Sequence, residues 1–99
     1  MEIINIGERS SFGAQFAPIV LRVSKKYKTP LICMNPGQEI PPHPSATGVF
    51  YIVGGSAVMT VNGQEHNVKA GDMVFVDDGD TRGIRAVEKL TAFAVHISS

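Results

Sequence analysis

Cysteine is nearly missing from this chain: Cys33 is the only one in 99 residues. That excludes an intramolecular disulfide and any zinc site built on several thiolates. Cys33 lies inside the apolar run Leu31-Ile32-Cys33-Met34, where a thiol behaves as a small buried hydrophobe. A nucleophile there would need a base set beside it by the fold. Net charge is missing too, because nine basic residues balance nine acidic ones. The broad positive field on which nucleic-acid binding relies is therefore not expected. No apolar run approaches the length that spans a bilayer. The start of the chain, MEIINIGERSS, lacks the basic-then-apolar layout of a secretory signal. A soluble cytoplasmic protein that touches neither nucleic acid nor membrane is the expectation.

A sustained helical period is also absent, while turn signals recur every eight to twelve residues or so, as sandwiches and barrels require. With 43% hydrophobic and 18% charged residues, the composition is that of a folded globular chain. Its length suits a single domain over residues 1–99. The reading is all-β. Ile3 to Ile6 is a candidate short strand, Gln15 to Pro18 a possible helical turn, and Ile19 to Val23 a better strand, rich in β-branched residues. Lys25, Lys26 and Lys28 then separate it from Leu31 to Met34, so that strands fill the N-terminal part up to residue 34.

Asn62-Gly63 is the strongest hairpin signal. A two-residue turn there sets Val61 opposite Gln64, Met59 opposite His66 and Ala57 opposite Val68. His66 is then expected to point inward beside Met59 as a core histidine. Gly71-Asp72 opens a strand through Val76, and Asp77-Asp78-Gly79-Asp80 reads as turn chemistry rather than a calcium loop. Thr81 to Val87 follows. The last strand, Lys89 to Ile97, is apolar on both faces apart from Thr91 and His96, which implies burial on both sides. A subunit partner over the outer face, hence a homodimer, is the expectation.

The stretch Asn35 to Gly55, NPGQEIPPHPSATGVFYIVGG, organises the rest. Prolines fix φ and remove donors, so its first half reads as a stiff edge or loop that presents His43. Gly48 to Val53 reads as a strand, with Gly48, Phe50 and Ile52 on one side and Tyr51 on the other.

These residues resemble the cupin family, small β-barrels of the jelly-roll (double-stranded β-helix) type. The family's first motif is a glycine, five residues, His-x-His, three or four residues, a glutamate, six residues and a glycine. Gly37 and His43 have the right separation, and VFYIVGG looks like the strand after the glutamate. The second motif is glycine, five residues, Pro-x-Gly, two residues and a histidine. Here Gly71 is followed by Asp77-Asp78-Gly79 and then Arg82. The two core motifs occupy residues 37–55 and 71–85.

The resemblance implies a barrel fold and, in typical members, a metal held by three histidines and a glutamate. This chain keeps one of the four, His43. Ser45 stands at the second histidine, Gly48 or a neighbour at the glutamate, and Arg82 at the third histidine. A divalent metal (Zn, Fe, Mn or Ni) on His43 with His96 or His66 is one reading, opposed by the fixed guanidinium beside it. The favoured reading needs no cofactor. Arg82, costly to bury unpaired, takes a small organic anion, a carboxylate or phosphate, with His43 and Ser45 at the mouth and Phe50 and Ile52 as walls. A plainer reading has Arg82 pairing on the surface with Asp77, Asp78 or Asp80. As function, a small-molecule sensor or binding module stands first. The alternative is a cupin enzyme, an isomerase or dioxygenase, using His43.

Overall fold

The computed structural model describes residues 1–98. Nine strands follow one four-residue helical turn: α1 (Ile6–Arg9), β1 (Ile19–Val23), β2 (Tyr27–Met34), β3 (Glu39–Pro44), β4 (Gly48–Gly54), β5 (Ser56–Val61), β6 (Gln64–Lys69), β7 (Met73–Val76), β8 (Thr81–Ala86) and β9 (Leu90–Ile97). They form two antiparallel sheets. One has the order β1-β2-β9-β4-β7 and the other β3-β8-β5-β6. From β2 onward the chain passes back and forth between the sheets, which is the jelly-roll, or double-stranded β-helix, arrangement.

The strand alternation builds the core directly. Ile32 and Met34 of β2, Phe50 and Ile52 of β4, Met59 of β5, Ile84 of β8 and Leu90, Ala92 and Ala94 of β9 are buried in one cluster. Within the five-stranded sheet Phe50 pairs with Ala94 and Ile52 with Ala92, large against small on its inner face. The hairpin register is as expected, with Ala57, Met59 and Val61 opposite Val68, His66 and Gln64. Asn62 and Gly63 both take positive φ, 49° and 80°, which a two-residue turn of this kind demands.

Three expectations are corrected. Ile3 to Ile6 is not a strand: the Asn5 side chain accepts from the Glu8 N–H and caps α1 instead. Gln15 to Pro18 forms no helical turn. His66 faces the same way as Met59 yet is exposed, because β6 is an edge strand in which only Val68 is buried. The alternation set its side, but the sheet edge set its solvation.

Candidate functional site

The site lies between the two sheets, where β3 and β8 of one approach β4 and β9 of the other. β3 is an edge strand, as its prolines require. Its pairing with β8 is irregular between Ile40 and His43, across Pro41-Pro42. Gly83 makes room for that irregularity, since a Cβ there would stand 2.7 Å from the Ile40 carbonyl oxygen and from the Pro42 nitrogen. The result sets His43 directly opposite Arg82. His43 Nδ1 lies 3.0 Å from the Pro41 carbonyl oxygen. A carbonyl only accepts, so this contact places the proton on Nδ1 and leaves Nε2 as an acceptor.

Arg82 is 2% exposed. Its guanidinium donates to the Ala46 carbonyl at 2.7 Å and to the Asp77 carbonyl at 2.8 Å, while Nε is buried without a partner. The surface pairing with the aspartates is therefore corrected. Asp80 spends its carboxylate on the Asn62 side chain and the Asp77 N–H. Those two hydrogen bonds, ahead of the charge of Arg82, hold its carboxyl below the usual carboxylate range. The aspartate turn is turn chemistry, as read. Among the described residues the one ion pair joins Arg22 to Glu2 at 3.9 Å, remote in the fold from Arg82. Among the described residues Arg82 is thus a buried cation held by neutral dipoles alone.

His96 enters from β9, opposite Gly48. Its ring meets Phe50 edge to face with centroids 5.6 Å apart, and its Nδ1 is buried without a hydrogen-bond partner. Burial, and then the charges of Arg82, Lys28 and His43, hold the imidazole below its ordinary value near 6.5. Every charged group acting on it is basic.

These side chains share a cavity of about 100 Å³, lined by His43, Ser45, Phe50, Arg82 and His96 and otherwise by Pro18, Pro30, Ile32, Ile40, Met59, Gly83 and Ile84. It adjoins an outer cleft of about 360 Å³ that shares His43, Ser45 and His96 and reaches Lys28 at its rim. Four of the five expected wall and ligand residues meet here together with His96. Ile52 does not: it is fully buried in the core and touches neither space. His66 is also elsewhere, and Cys33, though buried, lines neither. Met59 was legible as inward-facing by alternation. Pro18 and Pro30 carried no signal.

The donor set does not suit a catalytic metal. About three protein ligands are needed, and among the described residues no three His, Cys, Asp or Glu side chains come together. Two imidazoles face a guanidinium, which repels a divalent cation. No helix among the described residues is long and apolar enough to cross a membrane.

His96 gives the fold a pH dependence whose sign is fixed. Above its ordinary value near 6.5, it is neutral in folded and unfolded chains alike. As pH falls through that value the unfolded chain takes up the proton first, so stability declines until folded His96 also protonates. The melting temperature of the wild type should therefore drop between about pH 7.5 and about pH 5.5 by more than that of His96→Gln. Parallel profiles for the two proteins would remove His96 as the cause.

Comparison with known proteins places this geometry. The family model of the cupin domain matches residues 30–98. No curated protein sequence matches the chain. Among solved structures, a conserved protein of unknown function from Streptococcus pyogenes is similar over 99% of this chain and 88% of its own, with 19% identity and a TM-score of 0.87. A cupin superfamily protein from Desulfitobacterium hafniense is similar over 95% and 87%, at 15% identity and a TM-score of 0.86. A cupin family protein with a double-stranded β-helix fold from Methanocaldococcus jannaschii is similar over 86% and 82%, at 22% identity and a TM-score of 0.77. At these identities the likeness concerns the fold alone.

Proposed function

The chain belongs to the cupin-domain family, and from that premise we propose that it binds a small organic anion in its barrel through Arg82, without a metal ion. One observation carries the reading: a buried guanidinium beside an apolar cavity, with its Nε unpartnered and, among the described residues, no carboxylate paired with it. A buried charge held only by dipoles is incompletely compensated. A ligand carboxylate beside the guanidinium would complete it by a charge-assisted hydrogen bond. The Ser45 hydroxyl can donate to the same group, and His43 Nε2 can accept from a ligand hydroxyl.

The walls select the rest of the ligand. At about 100 Å³ the inner space is smaller than the roughly 150 Å³ apolar cavity that accommodates benzene. The apolar body is therefore a short aliphatic chain, and a carboxylate suits these walls better than a phosphate, which needs more donors than one guanidinium already bonded to two carbonyls and one hydroxyl can offer.

Thermal shift with butyrate, isovalerate and inorganic phosphate on wild type and Arg82→Met tests this. A ligand at a hundred times its dissociation constant stabilises by about 2.7 kcal/mol. That corresponds to a rise in melting temperature on the order of 10 °C for a domain of this size. We expect the rise with a carboxylate on wild type and its loss in Arg82→Met. If no anion stabilises wild type more than the variant, anion binding through Arg82 is refuted. Stoichiometric metal in protein purified without chelator, lost in His43→Ala, would refute the metal-free part.

A second reading is favoured by the His43 contact to Pro41. An imidazole with its proton fixed on Nδ1 and Nε2 free is arranged as a general base. Proton exchange into a bound carboxylate from deuterated water, abolished in His43→Gln with binding retained, would mark catalysis rather than binding alone.

A further inference from the structure

The inner cavity continues into the outer cleft, and the charge along that passage has one sign. Alternation on β2 puts Lys28, Pro30 and Ile32 on the same face. The three step outward in order: Ile32 lines the inner cavity alone, Pro30 lines both spaces, and Lys28 lines the outer cleft alone. Lys28 is paired with His96 across β2 and β9, so the two side chains leave the sheet on the same side. The Lys28 charge is felt at the His96 imidazole. His43, Ser45 and His96 belong to both spaces and form the neck between them. Among the described residues no aspartate or glutamate lines either space, and Lys28 has no ion-pair partner.

Resting on the anion reading above, we propose that the ligand is a linear dicarboxylate that spans both spaces. One carboxylate sits beside the Arg82 guanidinium, the chain passes the neck, and the second carboxylate meets Lys28 in the outer cleft. A monocarboxylate short enough for the inner cavity, about 100 Å³, leaves the larger cleft of about 360 Å³ unused.

The charge pattern selects what the far end carries. A cationic end would meet like charge at Lys28. An apolar end would reach a cleft rimmed by an ammonium, where little apolar surface leaves water. Two carboxylates confined to the inner cavity would share one guanidinium that already donates to two carbonyls. A dicarboxylate long enough to cross the neck meets a separate cation at each end. Lys28 is exposed, so its contact is a rim ion pair. Such a pair contributes up to about fivefold in affinity, is screened by salt, and discriminates between ligands more than it tightens them. Lys28 is thereby a specificity-determining residue, and Arg82 remains the anchor.

Isothermal titration calorimetry at low ionic strength tests this with butyrate, with glutarate, adipate and pimelate, and with the monoamide of each diacid. On wild type at least one diacid should bind up to about fivefold tighter than its own monoamide, beyond the statistical factor of its two equivalent ends. The excess should vanish at high salt. Lys28→Gln should abolish it and leave the monoamide affinity unchanged, and Lys28→Glu should make the diacid the weaker ligand. Lys25→Gln, at an exposed lysine that lines neither space, should keep the excess. Diacids that bind no tighter than their monoamides on wild type overturn the proposal, as does an excess that survives Lys28→Gln. In either case, butyrate binding that is lost in Arg82→Met leaves the anion reading standing. If none of these acids binds wild type, both fall.

Discussion

Gly55→Ala should lose about 3–5 kcal/mol of folding stability, from the left-handed backbone it would occupy and the overpacking it would cause. Gly55 has φ of 80° in the turn between β4 and β5. A side chain in that region costs about 1–2 kcal/mol on backbone grounds alone. The added Cβ would also overlap the carbonyl of Lys89 and stand 3.1 Å from Leu90 Cα. Those atoms are backbone at the start of β9, and Leu90 is fully buried, so relief requires moving a core strand. Against a total of about 5–15 kcal/mol for a domain of this kind, the loss is a large share.

Gly63→Ala is the matched control. Gly63 has the same φ of 80°, but its Cβ would meet nothing within 4 Å. Only the backbone cost applies there, about 1–2 kcal/mol. Urea unfolding of the three proteins separates the two contributions. Equal losses in both variants would show that contact with Lys89 does not limit the turn.

Gly48→Ala comes next, with an expected loss of about 2–3 kcal/mol, near the upper range for overpacking a tight contact. At Gly48 the obstacle is close approach. A Cβ would stand 2.5 Å from the Val95 carbonyl oxygen, 3.3 Å from His96 Cα and 3.1 Å from His96 Nδ1. β9 must shift, and His96 shifts with it, away from its edge-to-face contact with Phe50. The same variant should therefore weaken the carboxylate-induced thermal shift, which Gly55→Ala should not if it remains folded. Gly54→Ala, in the same strand with open space around it, should change stability by less than about 1 kcal/mol. If it costs as much as Gly48→Ala, the approach of β9 is not the reason. The contact also bears on the family motif. An acidic side chain cannot be restored at position 48 without displacing the strand that carries His96.

Much of the fold was legible because it rests on local rules. Asn62-Gly63 imposes a turn type, and that turn imposes the register of Ala57 to Val68. Prolines 41, 42 and 44 exclude an interior strand, and β3 is an edge. Alternation along Gly48 to Gly54 placed Phe50 and Ile52 on the inner side. Local composition misled at the N-terminus. Ile3 to Ile6 has strand-like composition but lies over the sheet face, and the Asn5 cap takes the chain into a helical turn.

The candidate site divides the same way. His43, Ser45 and Arg82 were found through motif positions, and Phe50 through strand alternation. Alternation gave Ile52 the same side, but depth within the barrel decided that it belongs to the core and Phe50 to the cavity. As sequence, His66 read as a core histidine and His96 as a candidate ligand beside His43. The sheet edge put one in solvent, and pairing with Gly48 put the other beside Arg82.

By itself, then, the sequence determined an all-β chain and a proline-stiffened edge bearing His43, which follow from backbone dihedrals, side-chain alternation and residue identity, all of which act over a few positions. Its resemblance to the cupin family added the jelly roll and an arginine where typical members have a histidine. Only the tertiary structure decided that Arg82 is buried, that its partners are the carbonyls of Ala46 and Asp77 rather than a carboxylate, and that His43 and His96 flank the same cavity. Those outcomes depend on which strands become neighbours and how deep each side chain lies. Both are set by the closure of two sheets over one core, and no local stretch of residues encodes them.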